Sequence, residues 1–395
     1  MQLFDTATRV VKTVTPRDGR VGMYVCGITP YDGGHVGHAF TYHTFDIITR
    51  RLHSEGVAVR SVRNVTDVDD DILRVARERG VSFRTLADVE SRRFDADMVG
   101  IGLLPVDASP RASTSVHRMV QWIERLVESD AAYGREGWVY FDVDRFPEYG
   151  SLSRLGTTSM LELSRLRGGD PDDPRKRNPL DFVLWQPSAD GEPSWPSPWS
   201  MGRPGWHIEC TVLSATELTL PIDLHGGGDD LIYPHHESEL AQALAVGVPA
   251  FCRHWVHVAM VGYQGTKMSK SLGNLVFVRD LVKTAPAGAV RLMLCAHHYR
   301  APWEYNDAEI ASARARFSDY QSAMNSELRF THTEAQAVYD DFVARIDDDL
   351  DTPGALAILD EVAARPVVPG DEHVADVTAA DVMTPLLTML GVRTG

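Results

Sequence analysis

The sequence has few cysteines and no long hydrophobic run. Its 395 residues contain four cysteines, Cys26, Cys210, Cys252 and Cys295, which lie far apart. Four is too few for a disulfide scaffold, so we expect reduced thiols, some of them available as metal ligands. No apolar run reaches the roughly 18 residues of a transmembrane helix, and residues 1–16 do not resemble a secretory leader. These absences predict a cytoplasmic protein with no membrane partner.

Positive charge is scarce near the carboxyl end of the chain. The net charge is −16, and the stretch from Tyr305 to Gly395 holds 17 acidic residues against 6 arginines and no lysine. A surface that follows nucleic-acid phosphates needs clustered lysine and arginine. With a balance of −11, this last quarter is poorly suited to binding tRNA. The apolar content of 44% is that of an ordinary globular protein of two or three domains, and we expect a monomer.

The first 70 residues predict the beginning of a parallel sheet. Residues 1–16 form a predicted strand pair, and Val21–Cys26 has the alternating β-formers of a buried strand. Thr41–Glu55 carries apolar residues at helical spacing, and Val57–Val65 predicts the next strand. This order is that of a βαβ unit with a right-handed crossover. Polar residues 63–70 follow the second strand, at the edge where open α/β sheets bind ligands.

The rest of the chain predicts an interrupted sheet followed by helices. The parallel-sheet pattern resumes at Trp206–Ala215, Ile222–Leu224 and Trp255–Gly262, after a stretch of short aromatic strands, a loop and the basic tract 175–177. The fold class predicted is α/β, with a split parallel sheet and a C-terminal helical bundle. The expected divisions are a first catalytic half (1–110), an insertion (111–194), a second catalytic half (195–262), a linking segment with a lysine loop (263–304) and an acidic helical bundle (305–395).

The stretch Met23–Ala39, with the sequence MYVCGITPYDGGHVGHA, combines two chemistries. Cys26 ends an apolar strand and can offer a thiolate to a soft metal. His35 and His38 lie in a glycine-containing turn that opens a helix, where backbone N–H groups and the helix dipole favour phosphate. Glycines beside these histidines let a nucleotide approach the backbone closely. This stretch is therefore the predicted centre of the site.

A metal-binding hypothesis joins Cys26 to Cys210, His235 and Glu239. His235 and Glu239 are four residues apart in PHHESE and so share one face of a predicted helix. Two thiolates, an imidazole and a carboxylate suit Zn²⁺. The alternative is that both cysteines are small core residues and that His235 is a hydrogen-bonded polar residue. Cys252 and Cys295 lack comparable neighbours and are assigned to packing.

A phosphate-binding hypothesis joins His35 and His38 to the lysines of KMSKS, Lys267 and Lys270. The lysines can bring positive charge to phosphates as pyrophosphate departs. Taken separately, His35 could simply cap a helix, and a lysine-containing surface loop is common. Gly226–Asp230 can lie flat against a sugar or base, with Asp229 or Asp230 accepting hydroxyl hydrogen bonds, and Trp206 offers a stacking face or a core side chain.

Six ordered segments together carry a resemblance. They are MYVCGITPYDGGHVGHA, RNVTDVDD, GEPSWPSPW, GRPGWHIEC, HGGGDDLIYPHHESE and KMSKSLGN. Over roughly Leu3–Asp360 the chain resembles the cysteinyl-tRNA synthetase family of class I synthetases, in which HVGH and KMSKS are the two phosphate motifs. The resemblance implies an ATP-dependent ligase that forms an aminoacyl-adenylate.

The resemblance also implies roles for matching residues. Cys26, Cys210 and His235 would hold one zinc ion, which would bind the sulfur of the substrate cysteine and so reject serine. His35, His38, Lys267 and Lys270 would stabilise the transition state of adenylation, with Mg²⁺ bound to ATP. The residues expected around the cysteinyl-adenylate are Cys26, Gly27, Ile28, Thr29, Thr41, Asn64, Val65, Thr66, Trp206, Gly228, Asp229, Asp230, Val261 and Lys270.

Two features point to different branches of the family. The segment Arg167–Pro171, RGGDP, is similar to a motif of the mycothiol-pathway cysteine ligases, with Leu166 in place of a glutamate. Those ligases transfer cysteine from its adenylate to the amine of glucosaminyl-inositol. Glu239 and His225 instead resemble the tRNA synthetases, in which a glutamate completes the zinc shell. Because the sequence ends soon after the helical bundle, we expect no counterpart of the synthetases' last anticodon-binding domain. The expected acceptor is therefore glucosaminyl-inositol, with tRNA or another amine as the alternative.

A third possibility is a paralogue that binds nucleotide or cysteine without turnover. The four residues with predicted catalytic roles, His35, His38, Lys267 and Lys270, are all present in the sequence. Their presence favours an active enzyme.

Overall fold

The computed structural model describes residues 1–268, 273–367 and 376–394, and for Lys267 it describes the backbone. Within these ranges the strands are β1 (Gln2–Asp5), β2 (Val10–Thr13), β3 (Arg20–Ile28), β4 (Ala58–Val65), β5 (Ala132–Arg135), β6 (Trp138–Phe141), β7 (Phe182–Pro187), β8 (Gly202–Pro204), β9 (Leu224–Gly228), β10 (Trp255–Val258), β11 (Val261–Tyr263), β12 (Thr266–Lys267), β13 (Trp303–Glu304), β14 (Arg329–Phe330) and β15 (Val377–Thr378). The α-helices in the same ranges are α1 (Val36–Ser54), α2 (Asp70–Arg79), α3 (Phe83–Gly100), α4 (Ala112–Glu128), α5 (Thr157–Leu166), α6 (Trp206–Glu217), α7 (Glu237–Ala245), α8 (Val278–Thr284), α9 (Ala287–Cys295), α10 (Asp307–Met324), α11 (His332–Asp347), α12 (Thr352–Ala363) and α13 (Ala379–Met389).

A four-stranded parallel sheet forms the centre of the molecule, in the order β10-β9-β3-β4. The chain crosses from β3 to β4 through α1 on one side, whereas β9 joins β3 from the other side. The strand order therefore reverses between β3 and β9, and the carboxyl ends of these two strands border a crevice. Cys26 and Gly228 lie at those ends. The predicted α/β class with a parallel sheet is confirmed.

The glycines of β9 correct one expectation. The sequence predicts a strand at residues 222–224 with the glycines after its end, but β9 runs through Gly226, Gly227 and Gly228. The strand is flanked on both sides, by β3 and β10, so the ladder hydrogen bonds hold its backbone extended. A Cβ on Gly226 would lie 2.2 Å from the carbonyl oxygen of Val256. The close approach of the neighbouring strand thus requires glycine in this strand.

Helix α6 corrects a second expectation from the sequence. The β-formers of Trp206–Ala215 suggested sheet, but residues 206–217 form a helix that packs against α4 and α7. Cys210 therefore lies within a helix, and the strand-to-helix junction is at Gly205, after the short strand β8. Apolar and polar residues in this segment satisfy both periods, so packing decides between them.

The antiparallel sheet β5-β6-β7-β8 is formed by chain between the two parts of the parallel sheet. Two arginines of the basic tract 175–177 form ion pairs with aspartates of the same chain. Arg175 bonds to Asp173, with 2.8 Å between Nε and Oδ1, and lies 4.0 Å above the Trp138 ring. Arg177 pairs with Asp142 at 2.9 Å. These contacts account for two of the three charges by intramolecular pairing.

The acidic C-terminal region is helical among the described residues and is joined to α1 and α9 through the buried Arg291. Arg291 of α9 is fully buried, and its Nη2 lies 2.6 Å from Oδ2 of Asp46 on α1. Its Nε donates to the backbone oxygen of Leu390 at 3.0 Å. Helices α1, α9 and the end of α13 are thereby held together. No helix among the described residues combines the length and apolar character needed to cross a membrane.

Candidate active site and metal centre

Four of the predicted ligands meet at the crevice beside β3. Cys26 comes from β3, Cys210 from α6, His235 from a π-helical turn at Ile232–His236, and Glu239 from the first turn of α7. One ligand atom from each lies within 4.8 Å of all the others, and all four side chains are buried. Strand β3, helix α6 and the continuous segment 232–245, which are distant from one another in sequence, thus bring together the set that the sequence predicted.

Glu239 uses its two oxygens differently. Its Oε1 lies 3.2 Å from Nε2 of His235 and 3.7 Å from the sulfur of Cys26. Its Oε2 lies 3.0 Å from Nε2 of His225 on β9. His225 therefore holds one oxygen while the other stays directed to the cluster, the usual role of a group behind a metal ligand.

The chemistry of the cluster fits a zinc ion. Nε2 of His235 is buried and makes no hydrogen bond among the described residues, although Glu239 is near. Burial raises the pKa of the Cys26 thiol well above its usual range, and the neighbouring Cys210 adds to this rise. Burial likewise raises the pKa of the Glu239 carboxyl. A divalent cation would supply the positive charge that lets these groups ionise, and thiolate, imidazole and carboxylate are zinc ligands.

Trp206 and His207 border the cluster on the side of α6. The half-buried Trp206 stacks on the His235 ring with centroids 4.3 Å apart. Nδ1 of His207 lies 3.0 Å from Nδ1 of His235, which orients that imidazole. Trp206 therefore lies at the cluster rather than in a remote part of the core, as the stacking hypothesis requires.

The predicted adenylate pocket follows the ends of β3 and β4. The buried Asn64 accepts from the backbone N–H of Gly27 at 2.7 Å and donates to Thr66 at 3.0 Å. These bonds fix the ends of the two strands relative to each other. Cys26–Thr29 and Asn64–Thr66 are thus neighbours. Val261 is buried in β11, and Thr41 lies on α1, where its hydroxyl donates to the oxygen of Gly37.

The two histidines of HVGH stack on each other at the beginning of α1. Their ring centroids are 3.8 Å apart, and Nδ1 of His35 accepts from the backbone N–H of His38 at 3.4 Å. The capping alternative for His35 is therefore correct for this structure. Capping does not exclude a phosphate role, since both rings remain at the N-terminus of a helix that favours anions.

The chain after the KMSKS loop pairs with the HVGH turn. The N–H of Val36 donates to the oxygen of Val276, and that of Val278 donates to Gly34. Arg279 lies across Gly33, where a Cβ would fall 1.2 Å from its Nη2. The backbone of Lys267 forms the end of β12, and Lys270 lies outside the described residues.

Gly228 ends β9, and Asp229 and Asp230 begin a 3₁₀ turn that leads to the π-helical turn of His235. The predicted nucleotide contacts and the cluster are therefore neighbours in one continuous piece of chain. The side chain of Asp230 lies against Gly228, with Oδ1 2.6 Å from the position of a Cβ there.

Several residues at the site were not predicted. His236 connects the sulfur of Cys26, 3.2 Å from its Nε2, to His257, 2.7 Å from its Nδ1. His257 in turn bonds to the hydroxyl of Thr6 at 2.7 Å. Arg167 of the RGGDP segment bonds to the backbone oxygen of Tyr233, in the turn that carries His235. The sequence does not indicate which side chains these histidines contact, because their partners come from strands that are far apart in sequence.

Comparison with known proteins identifies the family. Residues 12–315 match the model described as the catalytic domain of class I (C) tRNA synthetases. The L-cysteine:1D-myo-inositol 2-amino-2-deoxy-alpha-D-glucopyranoside ligase of Nocardiopsis dassonvillei is 44% identical over 396 residues, covering 100% of this chain and 95% of the relative. The cysteine–tRNA ligase of an Anaeromyxobacter species is 42% identical over 369 residues, 90% of this chain and 76% of that protein.

A solved structure agrees with the fold. The methionyl-tRNA synthetase of Mycobacterium tuberculosis, in complex with methionyl-adenylate, superposes with a TM-score of 0.67 at 16% identity and covers 94% of this chain and 90% of that one. Together with the sequence match over most of the chain, these findings confirm the predicted resemblance: the chain belongs to the class I (C) tRNA synthetase catalytic-domain family.

Proposed function

We propose that this chain is an ATP-dependent ligase that activates cysteine as its adenylate and transfers it to the amine of glucosaminyl-inositol. The observation that carries this proposal is the buried set of Cys26, Cys210, His235 and Glu239 at the switch point of the sheet. The set adjoins the strand end that begins the predicted adenylate pocket. A soft metal site in this position suits a substrate that carries a thiol.

When bound, Zn²⁺ supplies a soft Lewis acid for which a cysteine thiolate is a better ligand than the hydroxyl of serine. Cys26, Cys210, His235 and Glu239 would hold it. His225 fixes the Glu239 carboxylate, and His207 with Trp206 fixes the imidazole of His235. These contacts hold the ligand side chains in place before the metal binds. Less conformational entropy is therefore lost when the substrate binds.

In the first half-reaction, a carboxylate oxygen of cysteine attacks the α-phosphorus of ATP and pyrophosphate leaves. We assign His35, His38, Lys267 and Lys270 to stabilising the charge that develops on the phosphates, with Mg²⁺ bound to ATP. The stacked imidazoles at the N-terminus of α1 support this assignment. Residues 276–278, which follow the lysine motif in the sequence, pair by their backbone with the HVGH turn, and this supports the assignment.

In the second half-reaction, the acceptor amine attacks the acyl carbon of the adenylate, AMP leaves, and the nitrogen loses a proton to form the amide. The choice of glucosaminyl-inositol rests on the relatives, of which the ligase of Acidothermus cellulolyticus is 44% identical over 360 residues, 91% of this chain and 88% of its own length. The similarity of RGGDP to a motif of the mycothiol-pathway ligases supports it further, and Arg167 of this segment contacts the turn that carries His235.

A second candidate is the charging of tRNA. Glu239 favours it, because its Oε1 lies among the metal-ligand atoms, as the resemblance to the tRNA synthetases implies. The charge of −11 over residues 305–395 argues against it, since phosphate contacts need basic side chains.

The test is transfer of labelled cysteine, with ATP and Mg²⁺, to glucosaminyl-inositol and separately to tRNA of the source organism. We expect label on the aminosugar and none on tRNA. Charging of tRNA alone would reverse the assignment of the acceptor. Pyrophosphate exchange that depends on cysteine, with product on neither acceptor, would leave the first half-reaction in place and point to another amine.

A further inference from the structure

The turn that carries the predicted ligand His235 has an irregular backbone. Within Ile232–His236, Tyr233 is extended, with φ −135° and ψ 136°, although the turn around it is π-helical. The N–H that caps this turn donates to the carbonyl oxygens of the two residues that flank Tyr233. An extended residue directs its own carbonyl away from such a turn, so this oxygen needs a donor from another part of the chain.

Arg167 supplies that donor. This half-buried arginine directly follows α5, and its Nη1 donates to the carbonyl oxygen of Tyr233. The side chain of Tyr233 is held by the same part of the chain, because its hydroxyl oxygen lies 3.1 Å from Oγ of Ser164 on α5. Backbone and side chain of Tyr233 are thus both fixed by residues that lie between β6 and β7 in the sequence.

Segment 149–167, which contains these residues, also contacts the chain after the turn. The Tyr149 ring packs edge-on against the Tyr233 ring, with centroids 6.2 Å apart. The hydroxyl oxygen of Tyr149 lies 3.2 Å from Oγ of the fully buried Ser238 on α7. Tyr149 therefore joins the turn to the helix that follows it.

The carboxylate of Glu237 ties the start of α7 to the same segment. It is fully buried and accepts from the backbone N–H groups of Leu152 at 3.3 Å and Ser153 at 2.7 Å. Glu237 lies between His235 and Glu239 in the sequence. The contacts with segment 149–167 therefore act on the piece of chain that contributes two of the four predicted ligands.

We infer that Arg167 is a positioning residue for the metal site, and that segment 149–167 fixes the backbone from which the His235 imidazole reaches the cluster. Without the bond from Arg167, the carbonyl of Tyr233 must turn to find another donor, and His235, two residues later, turns with it. Nε2 of His235 lies 3.2 Å from Oε1 of Glu239, so rotation of the turn would separate these ligand atoms. The inference rests on the proposed function in one respect, that the predicted ligands hold a metal ion, and is independent of the acceptor.

The experiment measures metal binding directly. The affinity for Zn²⁺ is obtained by competition with a chelator, and the geometry of the site from the visible absorption spectrum of bound Co²⁺. Arg167→Met keeps the aliphatic stem and removes the donors. We expect it to weaken Zn²⁺ binding about 10-fold or more, as the loss of a group that orients a ligand does, and to change the Co²⁺ bands. Arg167→Lys should restore most of both, because an ammonium group can also donate to a carbonyl.

The matched control is Arg165→Met, on the same helix. Arg165 is exposed and pairs with Asp172, with Nη2 3.2 Å from Oδ1, so its loss should leave both readouts unchanged. Melting temperatures with and without Zn²⁺ separate positioning from general stability. A contact that serves stability alone would lower both temperatures equally, whereas we expect the rise caused by Zn²⁺ to shrink in Arg167→Met.

Tyr233→Phe is a milder variant, because it removes the hydroxyl beside Ser164 and keeps the carbonyl that accepts from Arg167. It should weaken Zn²⁺ binding about 2- to 10-fold, the range of a neutral hydrogen bond. If Arg167→Met does not fold, Tyr233→Phe and Arg167→Lys still decide the matter, since wild-type affinity in the first with a wild-type Co²⁺ spectrum in both would refute the inference.

Two results would overturn the inference alone. One is an unchanged Zn²⁺ affinity with an unchanged Co²⁺ spectrum in Arg167→Met, and the other is equal weakening by Arg165→Met. If the wild type binds neither metal, the metal site of the proposed function fails together with the inference. Weakened metal binding in Arg167→Met, with no wild-type product on the aminosugar, would refute the acceptor and leave Arg167 in its role.

Discussion

Nε2 of His225 lies 3.0 Å from Oε2 of Glu239, and both side chains are completely buried. This contact turns Glu239 so that its other oxygen faces Cys26 and His235. His225 thus acts on the cluster through Glu239.

His225→Gln should therefore weaken zinc binding, by about 10- to 100-fold, the usual effect of losing a group that orients a ligand. Competition with a chelator measures the affinity. Glu239→Gln should reduce it at least as much, and an unchanged affinity in that variant would remove Glu239 from the ligand set. His254→Gln is the control, because the side chain of this buried histidine bonds to the backbone oxygen of Leu3 and not to Glu239.

Cys210→Ser should abolish cysteine activation through loss of zinc, because a serine hydroxyl is a far poorer ligand than a thiolate. Zinc content and cysteine-dependent pyrophosphate exchange are the measurements. Cys252→Ser is the matched control. The Cys252 thiol donates a hydrogen bond to the backbone oxygen of His254 at 3.1 Å, and a serine hydroxyl can make the same bond. Full zinc content together with full activity in Cys210→Ser would contradict the assignment.

Lys270→Ala should leave ATP binding largely intact and slow adenylate formation about 100-fold or more, as the loss of a group that stabilises transition-state charge does. Single-turnover kinetics separate the two effects. The control is Lys283→Ala, an exposed lysine of α8 that pairs with Asp280 at 2.7 Å. A rate equal to that of the wild type would refute the transition-state role of Lys270.

Gly27→Ala should destabilise the protein, because the new Cβ would lie 1.6 Å from the backbone oxygen of Asn64. Forcing strands β3 and β4 apart costs about 1–3 kcal/mol or more and disturbs the adenylate pocket. Urea unfolding measures the change. Gly100→Ala is the comparison, since its Cβ meets open space and alanine favours the helix it ends by up to about 1 kcal/mol.

His43 predicts a pH dependence of stability away from the metal cluster. Burial, assisted by Arg291, lowers the pKa of His43 well below 6.5. The unfolded chain therefore binds this proton first, and the free energy of unfolding falls as the pH drops below about 6.5, by at most about 1.4 kcal/mol per pH unit for one proton.

His43→Gln should make the decline between pH 7 and pH 5 shallower. The exposed His53, on the same helix, is the site of the control variant His53→Gln. Parallel curves for wild type and His43→Gln would show that His43 is protonated equally easily in both states.

The sequence by itself determined the βαβ unit and suggested four metal ligands, which the structure brings together. Alternating β-formers before Cys26 and helical spacing after the HVGH turn are local signals, and they gave β3, α1 and β4. His235 and Glu239 are four residues apart on one predicted helix face, and few metals suit a set of two thiolates, an imidazole and a carboxylate. The residues alone left packing as the alternative for Cys26 and Cys210, and the resemblance to the synthetase family supplied the choice of these two from four cysteines.

Only the tertiary structure decided what surrounds these ligands. Trp206–Glu217 is a helix because it packs on α4 and α7, and the glycines of β9 are extended because strands flank them on both sides. The roles of His225 and His236 depend on contacts between segments that are far apart in sequence. A hydrogen bond formed, or left open, across such a distance has no periodic or local signature, so the folded chain alone reveals it.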